Sequence, residues 1–487
     1  MKKYIIVIDQ GTTSSRVLLI NNKAQIVDKD FVLVKQKELK NGEILQNPIE
    51  ILTSVEELLN RLIIRNQINP NEIDSIGITN QRETTVIWDK DTGKPVCDAI
   101  SWQSTHTKYL TDDWIKKGYE NIVYEKTGLL INPYFSASKI KHILLNNNTK
   151  DKNLAFGTID SYLLWHLSIE KNHKTDITNA ARTMLFNIKE LKWDQELLNL
   201  FDIPEKILPE VCDNNSLFGH YKYNDVLIPI HAMIGDQQSA LFGHLCTNKG
   251  DVKITYGTGC FILTNIGKTI KYANDGLLTT IAWQTNSEIT YALEGSVFMG
   301  GAAINWMKDK LNLVNHAHET EKMAYGSKNN NVFVVPAFVG LGAPYWDNEI
   351  RGSILGLEAH TSKADIMKAT LNSIAFQVTD VLKIIIDNLE VDLKSIAVDG
   401  GASNNNYLMQ FQADLINVKL LQNVESEVTG LGAGFIAGLA TGFWKNIEEI
   451  KRLQKLKNIF IPTTNQTEIQ NLYAKWKLAV KATQMFK

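Results

Sequence analysis

Little in this chain points to a membrane, a nucleic acid or an oxidising compartment. Its 51 Lys and Arg nearly cancel its 53 Asp and Glu, so there is no footprint for a phosphate backbone or an anionic bilayer. The expected partner is a small molecule or another protein. The only cysteines, Cys97, Cys212, Cys246 and Cys260, lie far apart and form no CxxC pair. That spacing argues against a disulfide scaffold or thiolate metal site and suits a cytoplasmic location. The start, MKKYIIVIDQG, has five apolar residues before Asp9, too few for a signal-peptide core. One long uncharged run, 428–444, holds five glycines and falls short of the ~20 residues of a membrane span. It predicts a closely packed buried helix, with no membrane insertion.

What is present is an ordinary globular balance, 44% apolar and 21% charged, in 487 residues. That length exceeds what one hydrophobic core supports, so at least two domains are expected. Short β-rich runs alternate with helical patterns, the signature of an α/β protein. Strands are predicted at 4–9, 16–21, 75–79, 251–256, 260–265 and 395–400, and helices at 48–66, 363–389 and 468–486. The middle helix carries apolar residues at 366, 367, 371, 374, 375, 378, 381 and 382, a stripe of helical period.

The two halves echo each other. YIIVIDQGTTSSRVLLI and DVKITYGTGCFILTN share one design, apolar strand, Gly/Thr turn, apolar strand. Much later in each half a strand ends in a polar loop, SIGITNQRE in the first and SIAVDGGASNNN in the second. Two βββαβα-like units facing each other across a cleft account for this, with domains 1–247 and 248–487 meeting near LCTNKG.

The first turn, DQGTTSSR, is not a GxxxxGK[ST] loop, since it lacks GK and a strand follows it. It still gathers phosphate donors. Gly11 admits close backbone approach, Thr12, Thr13 and Ser14 offer N–H and hydroxyl groups, and Arg16 adds a charged donor. Asp9, at the end of the first strand, suits Mg²⁺ held through water. Ordinary turn chemistry explains Gly11 and one or two hydroxyls, but not the whole set. TYGTGCF supplies a second such turn around Thr258. VDGGASNNN offers exposed backbone at Gly400 and Gly401 before a helix, where a phosphate or an adenine could rest. Helix capping alone is an equal reading for each of its asparagines.

Eight segments in order, DQGTTSSR, ITNQRETTVIW, INPYFSASK, NAARTMLFNI, GDQQSALFG, TYGTGCF, GLGAPYWD and VDGGASNN, make the chain resemble the FGGY carbohydrate kinase family, and within it the glycerol-phosphorylating branch. The resemblance runs from about residue 4 to 484. It implies two ribonuclease H-like (actin-like ATPase) domains around a central cleft, closing on ATP and substrate. The implied reaction is ATP-dependent phosphorylation of glycerol to sn-glycerol 3-phosphate, in glycerol uptake and catabolism. The family's ATP and Mg²⁺ contacts carry over to Asp9, Thr12, Thr13, Ser14, Arg16 and Thr258. Gly301, Asn305, Gly401 and Asn405 match positions lining the nucleotide, with Asn305 where bacterial relatives often have Gln.

Glycerol contacts carry over to Arg82, Glu83, Tyr134, Asp236 and Gln237, with Trp102 and Phe261 as an apolar wall. These types suit a triol. The carboxylates accept from hydroxyls, Arg82 donates, and the rings cover carbon. Asp236 is the expected general base, because the attacking hydroxyl must lose its proton. The resemblance also implies a homodimer or homotetramer. The chain departs from the family where His106 replaces an arginine, Asn132 an aspartate, and NEI (348–350) a Pro-x-Ala. Two rival readings share the fold: a kinase for another polyol or sugar, and an ATP-hydrolysing actin-like scaffold, which would have no need of the polyol residues.

Overall fold

The computed structural model describes residues 2–486 apart from 148, 150–151, 274–275, 329–330, 346, 348 and 390–392. Trp346 of GLGAPYWD and Asn348 of NEI therefore lie outside the described residues. Two mixed sheets organise the chain. The first runs Ile26–Leu33, Ser14–Asn21, Tyr4–Gln10, Ile73–Asn80, Val226–Gly235, Gly219–Tyr223. The second runs Leu278–Thr285, Glu288–Val297, Cys260–Gly267, Val252–Tyr256, Ser395–Asp399, Lys419–Asn423, Leu456–Phe460.

Setting aside Leu278–Thr285, the two sheets have the same plan. Three antiparallel strands lead into two parallel ones, and an antiparallel strand closes the edge. The repeat heard in the sequence is this shared strand order.

The first hairpin is apolar throughout because both faces of its sheet are covered. Successive side chains of a strand point to opposite faces. Ile6, Ile8, Val17 and Leu19 pack with Ile51, Val55, Leu58 and Leu62 of helix Pro48–Arg65. Ile5, Val7, Leu18 and Ile20 pack with Leu431, Phe435 and Ile436 of helix Val428–Thr441. The glycines of that second helix permit its closeness. A Cβ on Gly432 would stand 1.9 Å from the Ser239 carbonyl oxygen, and one on Gly430 would stand 2.0 Å from Leu18 Cδ1. The run 428–444 is thus the close-packed helix expected, ending at Thr441, and it is contributed by the second half to the core of the first.

Among the described residues, one helix is long and apolar enough to cross a membrane, Lys363–Leu389, and 83% of its apolar window is buried. Leu371, Ile374, Ala375, Val378, Val381 and Leu382 seat it in the core beneath the second sheet. The sheets also place the polar loops. Asp9 lies opposite Thr79, and Asn80 opposite both Gln10 and Gly235, so the loops after three parallel strands leave one end of the first sheet together. Thr255 and Asp399 are likewise paired at the end of the second sheet.

Candidate active site

The first Gly/Thr loop, the expected phosphate turn, is built on buried amides. Gly11 N–H donates to the Ser14 carbonyl at 2.9 Å and closes the turn. Beneath it lie Gln10, Gln46 and Gln81, each 1% exposed or less. Gln10 Nε2 donates to the Gly11 carbonyl at 2.8 Å, and Gln46 Nε2 to the Thr12 carbonyl at 2.7 Å. Gln81 Nε2 joins the other two through their side-chain oxygens, at 3.0 and 2.8 Å. Val34 N–H takes the Thr13 carbonyl at 2.9 Å. The loop's carbonyls are thereby tied inward while Thr13 stays exposed and Thr12 half-buried. Ser14 is buried in the following strand. Arg16 lies opposite Asp9 in the hairpin and pairs with Glu427, Nη1 to Oε2 2.7 Å, rather than standing free.

The second loop mirrors the first. Gly257 N–H donates to the Gly259 carbonyl at 2.9 Å, and the Thr258 carbonyl receives the N–H groups of Gly300 and Ala302 at 2.9 and 3.0 Å. Helix Gly301–Asp309 therefore starts directly on this loop, with Asn305 exposed on it. Gly401 has open space where a Cβ would be, whereas a Cβ on Gly400, at φ +89°, would stand 2.5 Å from the Tyr256 carbonyl oxygen. Asn405 caps helix Asn406–Ile416 through Leu408 N–H and donates to Thr320 Oγ1 at 3.0 Å. Both ends of that side chain are thus engaged.

Between the sheets lies a buried box of four charges. Arg82 Nη1 and Nη2 grip Glu294 at 2.7 and 3.0 Å. Arg182 bridges Glu83 Oε1 at 2.6 Å and Glu294 Oε1 at 3.0 Å. Burial opposes the charge on Glu294, but Arg182 and Arg82 hold its carboxyl down at about 2. Glu83 sits at φ +62°, an uncommon conformation for a residue other than glycine, and its carbonyl accepts from Ser136 Oγ at 3.1 Å. The ring of Tyr134 lies 5.8 Å under the Arg182 guanidinium and 5.4 Å edge-on to Trp102. Trp102 Nε1 donates to Thr12 Oγ1 at 2.8 Å, joining the expected polyol wall to the first Gly/Thr loop. Buried Lys139 holds the Tyr134 segment by donating to the carbonyls of Pro133, Tyr134 and Phe135 at 2.8, 2.6 and 3.0 Å.

Asp236 opens helix Asp236–Gly243, with Gly235 at the N-cap. Its Oδ1 accepts from Gln237 N–H at 2.7 Å and stands 3.4 Å from Arg82 Nε. Burial raises its carboxyl above the ordinary range against the pull of Arg82 and Lys253. Asp9 is also raised, to about 7, by burial and by the Asp236 and Glu427 carboxylates, with Arg16 opposing. Gln237 Oε1 receives Lys253 Nζ at 2.5 Å. Phe261, half-buried, lies opposite Thr255 and Ser296 in the second sheet.

Sequence reading assigned no role to Arg182, Glu294, Lys253 or Gln46. Arg182 lies within NAARTMLFNI, and Glu294 and Lys253 are lone charges inside apolar strand patterns, YALEGSV and DVKITY. A charge in a strand covered on both faces needs a buried partner, and that was the available signal.

Residues 4–243 match the FGGY family of carbohydrate kinases, N-terminal domain, and residues 252–441 match its C-terminal domain. The chain is 47% identical to a glycerol kinase of Streptococcus gordonii, covering 100% of this chain and 98% of that protein. It is equally 47% identical to one of Lactobacillus acidophilus, covering 100% and 99%. The crystal structure of Plasmodium falciparum glycerol kinase with ADP superposes with a TM-score of 0.93 at 35% identity, over 99% of this chain and 98% of that one. A ligand-bound xylulose kinase of L. acidophilus shares the fold, with a TM-score of 0.89 at 23% identity over the full length of both chains. With its two sheets, its paired Gly/Thr turns and these full-length relatives, the chain belongs to the FGGY family of carbohydrate kinases.

Proposed function

We propose that the chain transfers the γ-phosphoryl group of ATP to glycerol, giving sn-glycerol 3-phosphate, with Asp236 as general base. The observation that carries this reading is the Asp236 carboxylate, 3.4 Å from Arg82 Nε at the edge of the four-charge box. Glu83 and Asp236 accept from glycerol hydroxyls, Arg82 donates, and Trp102, Tyr134 and Phe261 cover the carbon chain. Glu294 fixes Arg82 by two bonds, so the donor meets the substrate already oriented. As the attacking oxygen bonds to the γ-phosphorus and the bond to ADP breaks, Asp236 takes the hydroxyl proton. A carboxyl raised above its ordinary range is a better proton acceptor for that step. Gln237 and Lys253 hold the start of the Asp236 helix against the second sheet.

Thr12, Thr13 and Ser14 from one side, and Thr258, Gly301 and Asn305 from the other, are read as the phosphate and nucleotide contacts, with Gly401 and Asn405 beyond them. In this reading Arg16 acts together with Glu427, its partner, at the rim. Asp9 fits Mg²⁺: its buried carboxyl stands near two other carboxylates and is raised to about 7, a charge balance that a divalent cation restores. When bound, Mg²⁺ neutralises the β- and γ-phosphate oxygens. Residues 1–247 and 248–487 act as the two lobes, and the four free cysteines fit a cytoplasmic place of work. An ADP-release assay with glycerol, dihydroxyacetone, erythritol, xylulose and gluconate tests the substrate. Glycerol is expected to give the highest kcat/KM; a pentulose turned over well above it overturns the reading.

A further inference from the structure

Glu43, His106 and His142 each offer a ligand atom within 4.8 Å of the others, the one such group of His, Cys, Asp and Glu among the described residues. None belongs to the polyol or phosphate sites. Glu43 precedes strand Ile44–Gln46, His106 lies in the loop after Trp102, and His142 sits on helix Ser136–Asn146.

His106 is the telling member. Its side chain is 5% exposed, yet neither ring nitrogen has a hydrogen-bond partner. Buried polar nitrogens are normally satisfied, and two orphans on one ring call for an explanation. His106 Nε2 stands 3.7 Å from Glu43 Oε1, too far for a hydrogen bond. It is, however, within a few tenths of the about 3.4 Å that separates an N and an O ligand on tetrahedral zinc. The His142 ring stands perpendicular to that of His106 with centroids 4.6 Å apart. Its Nδ1 lies 3.1 Å from Tyr109 Oη, a hydroxyl that can accept the Nδ1 proton, the outer contact that orients a ligating imidazole and leaves Nε2 for an ion. Simple edge-on packing of two histidines would leave His106 unsatisfied.

We propose that Glu43, His106 and His142 form a binding site for a divalent transition ion of the zinc class. Two imidazoles and one carboxylate suit zinc and do not suit Mg²⁺ or Ca²⁺, which prefer oxygen. A cavity of about 320 Å³, lined in part by Glu43 and His142, gives the ion an entry and room for a solvent ligand. The ion would staple three segments that carry the substrate wall. Gln46 and Trp102 both donate to Thr12, and Tyr134 sits just before the His142 helix.

The test uses chelator-dialysed full-length protein without nucleotide. Zn²⁺ is titrated in competition with a chromophoric chelator, and Co²⁺ serves as the optical probe. One equivalent of Zn²⁺ is expected, with a tetrahedral Co²⁺ spectrum that excess Mg²⁺ does not change. Zn²⁺ should also raise the thermal midpoint of the wild-type protein. His106→Arg places a fixed cation beside Glu43 that cannot ligate, and His142→Gln removes the second imidazole from a half-buried position. Each should weaken binding by more than the roughly 10- to 100-fold typical of losing an outer-shell partner. His360→Gln, at an exposed histidine, should bind as the wild type does. No bound equivalent in the wild type, or unchanged binding in His142→Gln and in His106→Arg, overturns the site.

Discussion

Arg82 and Glu294, 212 residues apart, meet in a two-pronged pair at 2.7 and 3.0 Å that joins the loop after one central strand to a strand of the other sheet. Both side chains are buried, at 2% and 1% exposure. Breaking such a pair leaves an uncompensated charge, at a cost of about 3–5 kcal/mol. Glu294→Ala should lose that much in urea unfolding, and its kcat/KM for glycerol should fall while the KM for ATP holds. The acid limb of stability carries the same signature. Glu294 titrates at about 2 in the fold against an ordinary 4.5, so its contribution is present above 4.5 and lost as pH falls towards 2. Glu294→Gln should flatten the acid-unfolding profile across that window. A profile and stability equal to wild type would contradict the pairing.

Gly432→Ala tests the packing of helix Val428–Thr441 on the first half. The added Cβ would meet the Ser239 carbonyl oxygen at 1.9 Å and Ser239 Oγ at 2.7 Å, with backbone on one side unable to yield. A loss of about 3 kcal/mol, the upper part of the overpacking range, is expected in thermal or urea unfolding. Gly442→Ala, with nothing within 4 Å but φ at +78°, should cost less. Equal effects would mean that close approach does not govern this helix.

These two tests separate what could be read from the chain and what could not. Hairpins, long helices and polar loops were legible because each leaves a local mark: an apolar run, a 3.6-residue stripe, a glycine-hydroxyl turn. Lys363–Leu389 matched its expected bounds for that reason. The Arg82–Glu294–Arg182–Glu83 box was half legible. Arg82 and Glu83 stood in a polar loop, whereas Glu294 and Arg182 reach it only through tertiary placement. The glutamines under the first loop, Gln10, Gln46 and Gln81, come from three segments, and no spacing links them. The engagement of Arg16 with Glu427 was hidden likewise, since 411 residues separate the two.

Asp9 makes stability depend on pH and, in its proposed role, on metal. Its folded value of about 7 exceeds the ordinary 3.8, so the fold holds a proton that the unfolded chain releases between those values. Stability from this group is full below 3.8 and lost as pH rises through about 7. Asp9→Asn should therefore raise the thermal midpoint of the nucleotide-free protein at pH 8 more than at pH 5. Binding of Mg²⁺ and ATP to the wild type at pH 6.5 should release protons, measured as a buffer-dependent heat in calorimetry, and the variant should release fewer. Identical proton release in both would remove Asp9 from the metal site.

The role of Asp236 is tested most directly by pre-steady-state ADP formation from Asp236→Asn with saturating glycerol and Mg²⁺-ATP. The asparagine keeps the size of the side chain and an oxygen for Gln237 N–H, but cannot take a proton. ATP affinity is expected to match wild type while the chemical step slows by about 10²–10⁴-fold, the usual contribution of a positioned base. The wild-type acid limb should lie above the ordinary carboxylate range, because burial raises Asp236 and protonation at low pH disables it. A chemical step at the wild-type rate in the variant, with ATP bound normally, would contradict the assignment of Asp236 as the base.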